Sequence, residues 1–221
     1  GATASIDTPE AESINAALAE KGWQLTHILN THHHFDHTGG NKGLKKQWGC
    51  RIIGAANDAH RIPGIDQQVA DGDVMKLGET QVHVLEVPGH TLGHIAYYFE
   101  DDQAAFVGDT LFALGCGRMF EGSAEQMWQS LEKLMNLPDN TTVYCAHEYT
   151  QANAAFAITV EPDNAALQDR IQEIARLRAQ GTPTVPTSIG LERQTNPFVR
   201  PTSSNLQATI NLVGADPLAI F

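Results

Sequence analysis

"LTHILNTHHHFDHTGG", residues 25–40, decides how the rest of the chain is read. Its first seven residues read as a buried strand. Its centre packs four histidines (His32, His33, His34, His37) and Asp36 into six consecutive positions. In extended backbone, side chains at i and i+2 share a direction while neighbours diverge. His32 and His34 therefore converge on one point and His33 points away from it. Asp36 and His37 lie further round the loop and can serve a second point nearby. Neutral imidazole and carboxylate are the donors that zinc or iron takes where thiolates are absent. One strand end thus offers two ligands to each of two adjacent metal ions.

Each ion needs further donors, and three come from the ends of other predicted strands. "EVPGHTLGH" (86–94) sets His90 after a Pro-Gly turn, "AAFVGDT" (104–110) sets Asp109 after a strand, and "TVYCAH" (142–147) does the same for His147. A carboxylate has two oxygens and can bridge two cations. The spacing predicts one site from His32, His34, His90 and Asp109, and a second from Asp36, His37, His147 and Asp109. A single His or Asp after a strand is most often a turn residue. The H-x-H-x-D-H run is different, because four ligand-type residues in register do not arise easily by accident. His94 follows His90 by four, the spacing of a helical zinc pair. Gly93 and Pro88-Gly89 disfavour a helix there, so His94 reads as a packing residue. His27, His60 and His83 read as surface or core histidines. Cys116 and Cys145 lack thiolate-site spacing and read as small buried residues.

The remaining pattern is that of a mixed α/β chain. "CRIIGAA", "QVHVLEVP", "HIAYYFE", "QAAFVGD" and "TTVYCAH" are further strands separated by turn residues. Thr8-Pro9-Glu10 predicts a helix start capped by the Thr8 hydroxyl, with Ile14, Ala17 and Leu18 on its apolar face and Gly22 at its stop. Ser123 and Gln126 form a capping box ahead of "MWQSLEKLM". After His147 no strong strand is predicted, and "NAALQDRIQEIARLRAQG" is a long amphipathic helix ending at Gly181. Two domains are expected, 1–147 with mixed strands and helices and 148–221 mainly helical.

Bulk properties narrow the function. The 221 residues are 42% hydrophobic, with no apolar run long enough to cross a bilayer. Three cysteines (Cys50, Cys116, Cys145) make no disulfide framework, so a reducing, cytoplasmic setting is expected. A net charge of −12 argues against nucleic acid as a partner. An anionic small substrate would need a local basic group.

"THHHFDHTGG", "PGHTLGH", "GDTLFALGCGRMFEG" and "VYCAHEYT" together resemble glyoxalase II, the hydroxyacylglutathione hydrolase branch of the metallo-β-lactamase superfamily. The first motif marks only the superfamily. "GCGRMFEG" and "HEYT", followed by "VEPDNAAL" and "TNPFVR", mark the branch, and the resemblance runs over essentially the whole chain. It implies an αββα sandwich followed by a small helical domain, and the same seven metal ligands that spacing predicts. It also implies that Arg118 meets a glutathione carboxylate, that the Tyr149 hydroxyl contacts the same peptide, and that Asn153 assists. Phe120 departs from the family, which often has tyrosine there and gains a substrate hydrogen bond from it. The family usually has strands ahead of the segment that begins here and a basic, glutathione-contacting stretch near its end. This chain is therefore expected to lack the opening strands of the first domain and the end of the second.

The expected reaction is hydrolysis of S-D-lactoylglutathione to glutathione and D-lactate by a hydroxide shared between two divalent cations. Zinc is the first expectation for these cations, with iron or manganese as alternatives. Asp36 and Asp109 are the expected catalytic carboxylates, Asp36 orienting the nucleophile and Asp109 bridging. The substrate is a small glutathione thioester, and the chain is expected to act as a monomer without membrane or nucleic-acid partners. The alternative is another hydrolase of the same fold, or a persulfide dioxygenase using one iron at His32, His90 and Asp109.

Overall fold

Twelve strands and nine helices follow one another along the chain, and the alternation of side chains along the strands decides how they layer. The computed structural model describes all 221 residues. Strands β1 (Ala4–Ile6), β2 (His27–Leu29), β3 (Arg51–Ala55) and β4 (Gln67–Val69) form a parallel sheet in that order. Helices α1 (Ala11–Lys21), α2 (Phe35–Thr38) and α3 (Asn41–Trp48) lie between its first three strands in sequence. A second sheet uses β5 (Val74–Leu77), β6 (Thr80–Glu86), β7 (Ile95–Phe99) and β8 (Ala104–Gly108), paired antiparallel in sequence. The small hairpin β9 (Leu111–Phe112) and β10 (Gly115–Cys116) stands apart from both sheets. β11 (Thr142–Cys145) then adds parallel to β8, and β12 (Thr187–Ser188) closes the second sheet antiparallel to β11.

Period-two burial makes three layers of core. Leu29, Ile53 and Val69 of the first sheet meet Val82, Val84, Ile95, Tyr97 and Phe99 of the second. The opposite face of the first sheet, through Ile28 and Ile52, packs on Leu18 of α1 and Leu44 of α3. The opposite face of the second, through Ala96, Tyr98, Ala105 and Val107, packs on α4 (Ala124–Met135), whose Met127, Leu131 and Leu134 are fully buried. Each such fully buried aliphatic side chain stabilises the fold by about 1.5–3 kcal/mol. The architecture is an αββα sandwich, as the sequence leads one to expect. Helices α5 (Thr150–Val160), α6 (Ala165–Ala179), α7 (Ile189–Thr195), α8 (Ser204–Thr209) and α9 (Pro217–Ile220) complete the chain. Ala154, Ala157, Leu167 and Ile174 from α5 and α6 close on Leu114 of the β9–β10 turn.

Three local expectations are corrected. Thr8 does not cap α1: the helix starts at Ala11, its N-cap is Glu10, and the Thr8 hydroxyl is buried and donates to Asn41 Oδ1. Asp36 and His37 sit on the one-turn helix α2 and not on an open loop. The tail after His147 does contain a strand, β12, which is too short to show a periodic pattern. The capping box at Ser123 and Gln126 forms as read.

The tail is fastened to the β9–β10 turn by a buried polar network. Arg170 of α6 donates to Glu192 Oε1 at 2.6 Å, and Glu192 Oε2 accepts the Leu114 N–H at 2.9 Å. Asn196 Nδ2 donates to the Gly115 carbonyl at 3.0 Å. This hairpin leads straight into Arg118 and Phe120.

Candidate metal centre

β1, β2, β6, β8 and β11 all end at one edge of the sandwich, and every residue set apart by the spacing follows one of those ends. The structure brings His32, His34, Asp36, His37, His90, Asp109 and His147 together there. His32, His37, His90 and Asp109 are buried; His34 and His147 are half-buried; Asp36 is exposed to the cavity in front of them. Gly108, at φ +49°, makes the turn into Asp109, and a Cβ there would stand 2.5 Å from Thr31 Oγ1 and 2.7 Å from the His94 ring. Only glycine allows both the turn and that approach.

The hydrogen-bond network assigns the tautomers of three imidazoles. His90 Nδ1 donates to the Arg118 carbonyl at 2.8 Å. His37 Nδ1 donates to Asp7 Oδ2 at 2.8 Å. Thr31 Oγ1 donates to the same Asp7 oxygen, so it accepts from His32 Nδ1 at 3.0 Å. Each ring is left with an Nε2 lone pair aimed into the cluster. His32 Nε2 and His90 Nε2 lie 3.0 and 3.1 Å from His34 Nδ1, forming one three-nitrogen face. Asp36, His37 and His147 form a second group, with Asp36 Oδ2 3.6 Å from His37 Nε2 and 3.5 Å from His147 Nε2. Asp109 stands between the groups. Its Oδ2 is 3.5 Å from His90 Nε2 and 3.4 Å from His147 Nε2, and its Oδ1 is 3.4 Å from His37 Nε2.

The 3.4–3.6 Å separations around Asp109 and Asp36 fit cations, and the His34 face is slightly tighter at 3.0–3.1 Å. Zinc–nitrogen bonds of about 2.0–2.1 Å in a tetrahedron give ligand–ligand edges of roughly 3.3–3.4 Å. His37 Nε2 and Asp109 Oδ1 are moreover buried without any hydrogen-bond partner. A buried polar atom without a partner is costly, and a cation between the two groups would satisfy both. The donor set, five imidazoles and two carboxylates, suits divalent ions.

Electrostatics agree for His32, His34 and Asp109. Burial lowers His37, but the Asp7 hydrogen bond and the carboxylates around it outweigh that and raise it, and the Asp109 hydrogen bond raises His147. Burial, and then the neighbouring imidazoles, drive the His32 pKa far down, so the ring stays neutral. Burial and the adjacent histidines also lower His34. Burial pushes Asp109 up, but the His147 hydrogen bond and surrounding imidazoles outweigh it and hold the carboxyl below its usual value. The other histidines fall outside the cluster of donors. His94 is fully buried, stacks on His32 at 4.7 Å and accepts the Asp109 N–H at 3.1 Å. His33 turns away to Asp58 Oδ2 at 2.9 Å. Cys116 and Cys145 are only partly exposed, and burial pushes their thiols up to about 12 and about 11.

In front of the cluster lies a cavity of about 670 Å³, a size suited to a small-molecule ligand. Arg118, Phe120, Tyr149 and Asn153 all line it. Phe120 stands edge-on to His90 at 5.2 Å, and Tyr149 stacks on His147 at 5.3 Å. The Asn153 amide is partly engaged, its Nδ2 donating to the Ala113 carbonyl at 3.0 Å. The residue that sequence reasoning missed is Asp7. It follows "ASI" at the end of β1 just as Asp109 follows β8, and that shared position was the available signal.

Residues 3–147 match the family model of the metallo-beta-lactamase superfamily, and residues 148–221 match that of the hydroxyacylglutathione hydrolase C-terminus. Over all 221 residues the chain is 56% identical to the hydroxyacylglutathione hydrolase of Methylococcus capsulatus and 55% identical to that of Rhodospirillum rubrum, spanning 86% of each. The chain belongs to the hydroxyacylglutathione hydrolase family. Among solved structures, ETHE1 from Myxococcus xanthus superposes with a TM-score of 0.67 at 29% identity, over 98% of this chain and 83% of that one. The BLEG-1 B3 metallo-beta-lactamase superposes with a TM-score of 0.68 at 21% identity, over 89% and 88%, which speaks to the fold alone. Both matched segments line the cavity: Arg118 and Phe120 come from the first, Tyr149 and Asn153 from the second. No helix is long and apolar enough to cross a membrane.

Proposed function

We propose that this chain hydrolyses S-D-lactoylglutathione to glutathione and D-lactate. The observation that carries the reading is the identity with hydroxyacylglutathione hydrolases along the full chain, together with a cavity that sets a guanidinium and a phenol beside a seven-donor cluster. His32, His34 and His90 would hold one divalent cation and Asp36, His37 and His147 a second, with Asp109 reaching both; zinc is the proposed ion, and imidazole with carboxylate also accepts iron or manganese. Such a pair supplies Lewis acidity for a carbonyl oxygen and lowers the pKa of water enough to make it nucleophilic near neutrality.

The chain's own residues do the rest. Arg118, exposed in the cavity wall, pairs with a carboxylate of the glutathione moiety through a charge-assisted hydrogen bond. The Tyr149 hydroxyl contacts the peptide, and the Phe120 ring gives an apolar wall where a tyrosine would have offered a hydroxyl. Asp36, exposed to the cavity, accepts a hydrogen bond from the O–H of the attacking water and so orients it. The buried faces of His32 and His37 exclude bulk solvent from the inner side. The leaving thiol has a pKa of about 8.5, so it departs as thiolate without a strong general acid.

Steady-state turnover of S-D-lactoylglutathione, followed by thiol release, with metal analysis of the same preparation, tests the proposal. Turnover with about two ions per chain is expected. A metal-replete chain that leaves the thioester intact would refute it.

A further inference from the structure

Arg61 lies outside the donor cluster, yet its two carboxylate partners, Asp58 and Glu121, tie it to three segments that carry site residues. Its Nε donates to Asp58 Oδ1 at 2.8 Å and its Nη2 to Glu121 Oε2 at 3.0 Å, while Nη1 bonds Glu121 Oε1 at 2.5 Å. Asp58 in turn holds His33 Nδ1 at 2.9 Å, bracing the loop between the cluster residues His32 and His34. The Asp58 carboxylate is buried so closely under the 90–94 turn that a Cβ on Gly93 would stand 2.3 Å from its Cγ. Glu121 Oε2 also accepts the Leu92 N–H at 2.8 Å.

The segment 118–122 is stitched to the turn that bears His90 on its other side as well. His90 Nδ1 donates to the Arg118 carbonyl, the Phe120 N–H donates to the His90 carbonyl at 3.3 Å, and the Gly122 N–H donates to the Gly89 carbonyl at 3.0 Å. Those bonds fix the segment to one neighbour only. The hydrogen-bonded link to the His32–His34 loop runs through Arg61, since Asp58 and Glu121 are both anionic and would repel each other without the cation between them. Beside it stand only a 3.9 Å approach of His33 Nε2 to Glu121 Oε1 and an edge-on Phe120–His34 contact at 6.0 Å. Bidentate guanidinium–carboxylate geometry fixes distance and angle at once, which a lysine ammonium does not.

We infer that Arg61 is a positioning residue for substrate binding, its guanidinium holding the Arg118–Gly122 segment at a fixed distance from the loop of His32 and His34 and so setting the width of the cavity mouth. Arg118 and Phe120 stand on the segment it holds. The kinetic part rests on the proposed thioesterase activity; the structural part does not.

Two measurements on the metal-loaded chain test it, using Arg61→Met, Arg61→Lys and Glu121→Gln. Hydrogen–deuterium exchange in Arg61→Met is expected to be about ten-fold faster over residues 118–122, with β6–β8 unchanged. In the same variant KM for S-D-lactoylglutathione is expected to rise about ten-fold, with kcat within about two-fold and the metal content retained. Arg61→Lys should recover part of the KM, and Glu121→Gln should reproduce the faster exchange should Arg61→Met fold poorly. Unchanged exchange over 118–122 in both Arg61→Met and Glu121→Gln would overturn the inference. So would a KM equal to that of the parent chain, or a loss confined to kcat and metal content. If the parent chain turns over no glutathione thioester, the proposed function falls, and the exchange measurement alone decides the role of Arg61.

Discussion

Asp7 Oδ2 accepts the Nδ1 proton of His37 at 2.8 Å, and through Thr31 Oγ1 the same oxygen governs His32. One carboxylate therefore fixes which nitrogen of two imidazoles faces the centre, one in each donor group. Its other oxygen accepts the Thr31 N–H at 2.7 Å, so the carboxylate cannot turn.

Asp7→Asn is the sharpest probe of that arrangement. Asparagine tolerates the left-handed backbone at Asp7 (φ +58°) and can still accept from Thr31 N–H. Its amide nitrogen, however, would donate toward His37 Nδ1 and push the ring proton onto Nε2, where a cation should bind. Metal affinity should fall by about 10–100-fold, the usual effect of losing an outer hydrogen-bond partner. Competitive titration against a chelator, with circular dichroism to show an intact fold, measures it.

Asp109→Ala should do more. Asp109 stands within 3.5 Å of donors in both groups, so its loss should reduce kcat/KM by more than about a hundred-fold, beyond what an outer partner contributes. Both ions should bind more weakly by equilibrium dialysis. A variant that keeps full activity would contradict a bridging role.

Arg118→Ala should act on binding and spare the chemistry. Loss of one charge-assisted pair, worth about 1.5–3 kcal/mol, corresponds to a KM increase of roughly 10–150-fold with kcat little changed. A thioester of a neutral thiol should show no such difference between parent and variant, and that comparison isolates the carboxylate contact.

Acid stability should depend on Glu161. This residue is buried, and burial alone would raise its pKa; the bonds from Arg200 and Ser203 outweigh that and hold it below the usual glutamate value. A carboxyl with a depressed folded-state pKa stabilises the protein fully above its unfolded-state value of about 4.3 and loses that contribution as pH falls through the folded-state value. The urea midpoint of the parent chain should therefore fall more steeply below about pH 4.3 than that of Glu161→Gln. Equal slopes would remove Glu161 from the account.

Much of this architecture was readable from residue order because its signals are local. The continuous apolar run of "HIAYYFE" and the Ser123–Gln126 box depend on neighbours a few positions apart, and both elements form where read. The gathering of the seven donors was legible because each follows a strand and strand ends share an edge. Asp7 and β12 were not, since three- and two-residue strands carry no periodicity and are defined by distant partners. The Thr8 hydroxyl went astray for the same reason: a buried acceptor on Asn41 outcompetes the helix end. Arg61 was invisible in sequence, because its two carboxylates come from segments three and sixty residues away.

β12 has a mechanical consequence. Thr187 and Ser188 form the edge strand of the same sheet whose opposite edge is β5, and Arg170 and Glu192 anchor the flanking helices to the β9–β10 turn. The last third of the chain is thus laced into the fabric of the first two-thirds, and neither part can be peeled off without tearing hydrogen bonds in the other. Such a molecule should come apart in a single cooperative step, and a backbone nick near residue 148 should leave the two pieces clasped together.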